Sequence, residues 1–329
     1  MTATETIRPF APDDLGALLE LRARCFDGLD MQREGIRRSW AFDDNPARVD
    51  GVPSAWVAVL DGKLVGTYGM MPAKVAIDGT PTPAICGVDF CVAPEMRGRG
   101  LGRRLTAAMV DTEGSRFRFI TSPTAPTTAL MKERGAGVVN AAAEAALFAR
   151  PGNLAPGDPG DPAVEVRRLE SFGSECDDLA TRINNHHRFV TVRDAAYLDW
   201  RYLRDPFIRH EAFGAFDGDT LRGLAVLTFS PTEPQAYIAE LMTEPADVAT
   251  ARALLGALVT VTHQQRLEAL FGLERRAAIK PLMTELGFSA VPQNLLEPVV
   301  LLRDAEVDPL DWHFTPGDGD FLFRIGSAG

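Results

Sequence analysis

The sequence is poor in the residues that build metal or disulfide frameworks. Its four cysteines, Cys25, Cys86, Cys91 and Cys176, contain no CxxC pair. That excludes a zinc ribbon and a disulfide-stapled secreted scaffold, and it suits a reducing compartment. Histidine is also scarce. His186, His187, His210, His263 and His313 lie at no metal-ligand spacing, so no metal is expected. No uninterrupted apolar run reaches the roughly 20 residues of a membrane span, so no membrane partner is expected. Residues 1–10 are polar, which predicts no secretory signal and a cytoplasmic protein. Basic charge is in deficit: 34 Lys+Arg against 45 Asp+Glu give a formal net charge of −11. A nucleic-acid binder usually presents a basic face, so no nucleic-acid partner is expected. What remains is a chain of 329 residues, 46% apolar, enough for real cores in two or three domains.

One stretch carries chemistry. An apolar strand over residues 88–92 meets Pro94 and then a loop containing Arg97, Gly98, Arg99, Gly100, Leu101 and Gly102. An amphipathic helix is expected over residues 101–110. Glycines at alternate positions let the backbone approach a ligand closely. The unpaired N–H groups of the helix start, with those of the loop, form a positive nest for phosphate. Arg97, Arg99, Arg103 and Arg104 are expected to add anion contacts. A dinucleotide fingerprint fails on spacing, because the sixth residue from Gly98 is Arg103 and from Gly100 is Leu105. A P-loop fails too, for want of Gly-Lys-Ser/Thr.

The pattern that fits is Arg-x-x-Gly-x-Gly, filled by Arg97, Gly100 and Gly102 and preceded by Val92-x-Pro94. It resembles the acyl-coenzyme A loop of the GNAT N-acetyltransferase superfamily. The resemblance implies a mixed, mostly antiparallel twisted sheet flanked by helices, an α/β (α+β) fold. It also implies acetyl-CoA as co-substrate, with Cys91, Val92, Arg97, Gly98, Arg99, Gly100, Leu101 and Gly102 at the coenzyme site. The partner it implies is a small-molecule amine, acylated by direct attack in a ternary complex.

The rest of the first half has the matching order. A strand is expected at residues 6–8, helices near 12–21 and 31–42, and strands at 55–60 and 64–70 around the Asp61-Gly62 turn. A further strand at 75–77, the Asp78-Gly79 turn and a strand over 84–92 complete a meander. Residues 117–121, 127–134 and 141–148 read as strand, helix and final strand. Residues 151–163, rich in proline and glycine, read as a linker between domains at 1–150 and 164–329. The second half looks like a worn copy. Asp217-Gly218 stands as Asp61-Gly62 does, Glu240 lies 151 residues beyond Asp89, and Met283 lies 152 beyond Met131. After Pro245, however, come Ala246, Asp247 and Val248, with no glycine or arginine cluster. The second half is therefore expected to keep the fold and lose the coenzyme, as in tandem GNAT proteins.

Among candidate catalytic groups, Asp89 lies on the strand before the loop. A carboxylate there suits a general base or an anchor for the amine; the other reading is a hydrogen bond to a neighbouring loop amide. The resemblance also implies a tyrosine after the next strand, but that place is Met131, which donates no proton. Of four tyrosines, Tyr68 is the candidate acid, with core packing as its other reading. The missing tyrosine keeps open an alternative function, a catalytically silent acyl-CoA-binding regulator. Cys91 reads as a small buried hydrophobe, and residues 197–202 as an amphipathic helix packed on the second sheet.

Overall fold

The computed structural model describes residues 5–138, 146–150, 164–290, 299–302, 312–320 and 322, so the expected linker lies outside the described residues. The chain begins with β1 (Glu5–Pro9), α1 (Leu15–Cys25), α2 (Met31–Arg38), β2 (Ala55–Leu60), β3 (Lys63–Ile77) and β4 (Thr80–Val92). It continues with α3 (Leu101–Asp111), β5 (Phe117–Ile120), α4 (Ala125–Lys132), β6 (Gly137–Val138) and β7 (Ala146–Ala149). Then come β8 (Glu165–Leu169), α5 (Ser174–Asn184), β9 (Phe189–Thr191), α6 (Ala195–Leu198), β10 (His210–Asp217), β11 (Thr220–Phe229) and β12 (Gln235–Thr243). The last elements are α7 (Val248–Gln264), β13 (Ala269–Leu273), α8 (Lys280–Glu285), β14 (Ser289–Ala290), β15 (Val299–Leu302) and β16 (Trp312–His313).

Local chemistry sets many of these boundaries. The Asp30 carboxylate caps α2 by accepting from the Gln32 and Arg33 amides at 2.9 and 3.0 Å. Asp61-Gly62 and Asp78-Gly79 have positive φ at both residues, the geometry that lets a two-residue turn match strand twist. The two expected segments at 64–70 and 75–77 form one 15-residue strand, β3. Residues 197–202 straddle the end of α6 and a π-helical turn over Asp199–Leu203.

The chain divides into two compact units. The sheet of the first has the order β1-β2-β3-β4-β5-β15-β6, with β4 and β5 parallel and β1–β2, β2–β3, β5–β15 and β15–β6 antiparallel. Leu18 and Leu21 of α1, and Leu101, Leu105 and Met109 of α3, bury against Val57, Val65 and Ile85. The second unit's sheet runs β14-β7-β13-β12-β11-β10-β8, again with one parallel pair, β12 with β13. Leu254, Leu255 and Leu258 of α7 pack there on Leu227, Ile238 and Leu241.

These units do not follow the expected division at 150. The strand expected to close the first half, β7, pairs with β13 and β14 in the second unit, and β15 pairs with β5 and β6 in the first. The two sheets thus have the same order with one strand exchanged. Short apolar segments such as Ala146–Ala149 and Val299–Leu302 specify a buried strand by composition, and composition does not specify a sheet.

Candidate active site

The site of the first unit opens where β4 and β5 part. Their parallel pairing covers only Ala84↔Phe117 to Cys86↔Phe119, whereas β4 runs on to Val92. The parting starts at Gly87, where an added β-carbon would lie 3.2 Å from Ile120 Cγ1 and from Tyr68 Oη. Beyond it, residues 88–92 present a strand edge that β5 does not cover. Asp89 has φ 55°, a left-handed conformation unusual for a residue with a β-carbon and costly by roughly 1–2 kcal/mol. Such strain in mid-strand marks a bulge that re-aims the backbone.

The loop follows directly. Gly98 and Gly100 have φ 76° and 74°, and Gly100 is the N-cap of α3. The first intrahelical bond is from the Arg104 amide to the Gly100 carbonyl at 3.3 Å; the amides of residues 98–103 donate to no backbone carbonyl among the described residues. Gly102 lies against Phe90, where a β-carbon would come within 3.3 Å of the ring. Six amides without backbone partners among the described residues thus stand at the start of an 11-residue helix, a setting that favours anions. The arginines divide otherwise than expected. Arg103 pairs with Glu133 at 2.9 Å and Arg104 with Glu5, because both side chains lie beside acids on neighbouring elements. Arg97 Nε donates to the Val92 carbonyl at 3.2 Å. Arg99 alone of the four is exposed with no side-chain partner among the described residues.

Asp89 is not bound to a loop amide. Its carboxylate meets Arg22 Nη1 at 2.9 Å and Arg37 Nη2 at 2.5 Å. Glu34 closes the set, 3.0 Å from Arg22 Nε and 2.8 Å from Arg37 Nε. Burial alone would raise the Asp89 pKa, but the charges of Arg22 and Arg37 outweigh it and hold the carboxyl well below its usual range. Arg37 is held charged in turn. Arg38 lies over the rings of Phe10 and Phe42, its guanidinium carbon 4.1 and 4.5 Å from their centroids, and donates to Ser54 at 2.9 Å. Sequence reading missed these arginines. The available signal was Arg22, which follows Leu18 and Leu21 at helical spacing on the buried stripe of α1.

Tyr68 is buried on β3, its ring stacked on Phe90 at 4.4 Å, with its hydroxyl at the point where the strands part. Met131 is fully buried in the core. The Cys91 thiol is buried against Cys25, so toward a coenzyme residue 91 offers backbone rather than sulfur. A separate cleft of about 200 Å³, walled by Phe10, Phe42, Arg48, Val52, Met70 and Ser115, lies past the C-terminal end of α3, away from the loop.

The second unit has a matching gap, already filled. Its β12–β13 pairing ends at Tyr237↔Phe271. Beyond it the Ala239 carbonyl accepts from the Gly317 amide at 3.1 Å, and those of Leu241 and Thr243 accept from Arg276, each at 3.1 Å. Glu240, at the place of Asp89, is fully buried and accepts from Arg193 at 2.6 Å and Tyr202 at 2.7 Å; Arg193 also binds Asp318. At the start of α7 the Asp247 carboxylate accepts from the Thr250 amide at 3.1 Å. The helix start thus carries its own carboxylate cap.

Comparison with known proteins agrees with this geometry. Residues 6–120 match the family model of the acetyltransferase (GNAT) domain. Among solved structures, a GCN5-related N-acetyltransferase from Kribbella flavida has 18% identity over 92% of this chain and 72% of its own, with a TM-score of 0.65. Eis1 from Mycobacterium abscessus has 16% identity over 91% and 73%, at 0.58. A tandem GNAT protein from the clavulanic acid biosynthesis pathway has 14% identity over 92% and 100%, at 0.54. Among curated proteins, none matches. Residues 6–120 of this chain thus match a GNAT acetyltransferase domain, and the fold of the whole is similar to that of a tandem GNAT protein.

Proposed function

We propose that the chain is an acyl-CoA-dependent N-acyltransferase that passes an acetyl group to a small amine by direct attack in a ternary complex. The observation that carries this reading is the set of six loop amides at residues 98–103, placed at the end of a strand edge left open by the parting of β4 and β5. The amides would hold the pyrophosphate, with Arg99 the cation nearest at hand, and the edge over residues 88–92 would pair with an extended pantetheine arm. The coenzyme supplies the activated thioester. The GNAT domain match over residues 6–120 supports this assignment of the ligand.

Asp89 enters the reading as an anchor. A carboxylate held ionised by two arginines is a poor proton acceptor near neutral pH, because its conjugate acid is too strong. It fixes Arg22 and Arg37 at the bulge and keeps the strained turn of β4 in place. The acceptor amine would therefore lose its proton to another group or to solvent. Tyr68 is the candidate donor to the leaving thiolate, since its hydroxyl lies beside Gly87 where the strands part.

Heat denaturation with and without acetyl-CoA tests the binding half of the proposal. Coenzyme at 100 times its dissociation constant adds about 2.7 kcal/mol to stability. An unchanged melting temperature at millimolar coenzyme rejects the assignment. Steady release of free thiol with an amine panel tests transfer, and tight binding without turnover assigns the chain to the silent regulatory class.

A further inference from the structure

Cys25 ends α1 and Cys91 lies on β4, both within the first unit, and both are free thiols. The Cys25 sulfur approaches the carbonyl of Val92 at 3.6 Å, which places it beside Cys91, the residue before Val92 on β4. Cys25 is partly exposed and faces two cations, Arg97 of the coenzyme loop and Arg24 of its own helix. Cys91 is buried, with Arg22 and Asp89 as its charged neighbours. An accessible sulfur in a positive setting beside a second, sheltered sulfur is the arrangement of a peroxidatic thiol with its resolving partner.

We propose that Cys25 and Cys91 form a reversible intramolecular disulfide when a hydroperoxide reaches the first unit. In the first step the Cys25 thiolate attacks the O–O bond. A sulfur–oxygen bond forms, the O–O bond breaks, and the leaving hydroxide takes a proton as water. In the second step Cys91 attacks the Cys25 sulfenic acid. The S–S bond forms, the S–O bond breaks, and hydroxide leaves as water with the proton of Cys91. Two thiols and one hydrogen peroxide thus become one disulfide and two waters. The attacking and resolving roles follow from exposure, since Cys25 is partly exposed and Cys91 is buried. The electrostatics agree: the neighbouring Cys91 and the two arginines hold the Cys25 thiol below its ordinary range, while Cys25 and burial push Cys91 up. The bond would tie the end of α1 to the strand that enters the coenzyme loop, and it stands whether or not the chain transfers an acyl group.

The test uses the full chain, reduced, freed of reductant and treated with hydrogen peroxide. Thiol titration after denaturation is expected to fall from the four of the sequence to two, with a loss of two hydrogen masses and full reversal by dithiothreitol. Peptide mapping is expected to join Cys25 to Cys91. Cys91→Ser is expected to stop at a sulfenic acid on Cys25 that dimedone traps, and Cys25→Ser to give neither product. Alkylation of Cys25 by iodoacetamide is expected to titrate at lower pH than a free thiol, and Cys91→Ala to shift it upward. An unchanged thiol count, a disulfide between molecules, or oxidation of Cys25 past sulfenic acid without linkage overturns the proposal.

Discussion

The two units run the same strand order to a gap beside a fourth strand, and they treat that gap in opposite ways. In the first, the strand edge beyond Cys86 and the amides of residues 98–103 have no internal backbone partners across it. In the second, Arg276 and Gly317 bond to three carbonyls of the strand edge, and Asp247 caps one amide of the helix start, all from within the chain. The paired carboxylates diverge as well. Asp89 is held ionised between Arg22 and Arg37, whereas burial outweighs the pull of Arg193 and raises the pKa of Glu240. A polar opening in a core is costly unless its groups are satisfied. On the proposed reading, one unit leaves that satisfaction to a ligand, and the other builds part of it in.

The sharpest way to break the comparison is to neutralise each carboxylate. Asp89→Asn leaves Arg22 and Arg37 with only Glu34 to balance them in a buried site, a loss of about 3–5 kcal/mol by urea unfolding at neutral pH. Because the folded pKa of Asp89 is depressed, its contribution is present above the unfolded value of about 3.9 and is lost as pH falls toward the folded one. The stability gap between wild type and variant should therefore narrow below about pH 4. A constant gap down to strongly acidic pH would show that the arginines do not act on this carboxyl.

Gly100→Asp is expected to weaken acetyl-CoA binding by at least about 100-fold, roughly 2.7 kcal/mol, without unfolding the chain. A β-carbon there meets only the flexible end of Arg104, at 3.6 Å, and aspartate tolerates positive φ better than most residues. The added charge would face the pyrophosphate. Titration calorimetry should give one coenzyme per wild-type chain and none in the variant. Two sites per chain would show that the filled gap of the second unit opens.

Gly317→Ala probes that filling. A β-carbon there collides with Tyr202 Oη and Glu240 Oε1, so the variant should lose about 1–3 kcal/mol in thermal unfolding. Its coenzyme affinity should stay within about twofold of wild type, since the proposed binding site belongs to the first unit. The smallest effect belongs to Glu240→Gln. An amide can accept from Arg193 and donate to the Tyr202 oxygen, while Arg193 keeps Asp318. Its cost should stay within about 1 kcal/mol. With a folded pKa that is raised, Glu240 contributes stability below its unfolded value that is lost as pH rises through the folded one. A loss as large as that of Asp89→Asn would erase the contrast between the two carboxylates.

Much of this was legible in the chain because it depends on local chemistry. Glycines that need positive φ, Asp-Gly turns, strand alternation and the spacing from Arg97 to Gly102 are short-range signals, and each maps onto the element it predicted. After Pro245, where no glycine stands, Asp247 caps the helix start by accepting from the Thr250 amide. Three features were decided only by tertiary structure. The arginine cage around Asp89 joins residues 22, 34, 37 and 89 from three elements, and no spacing rule links them. Arg103 and Arg104 read as anion ligands until Glu133 and Glu5 came beside them. The exchange of β7 and β15 rests on backbone pairing between segments far apart in sequence. The sequence determined which segments form strands, turns and the glycine loop at a helix start, since those depend on backbone conformation within a few residues. Folding decided which charges meet and which sheet takes each short apolar strand, since Coulomb pairing and strand pairing depend on distance in space.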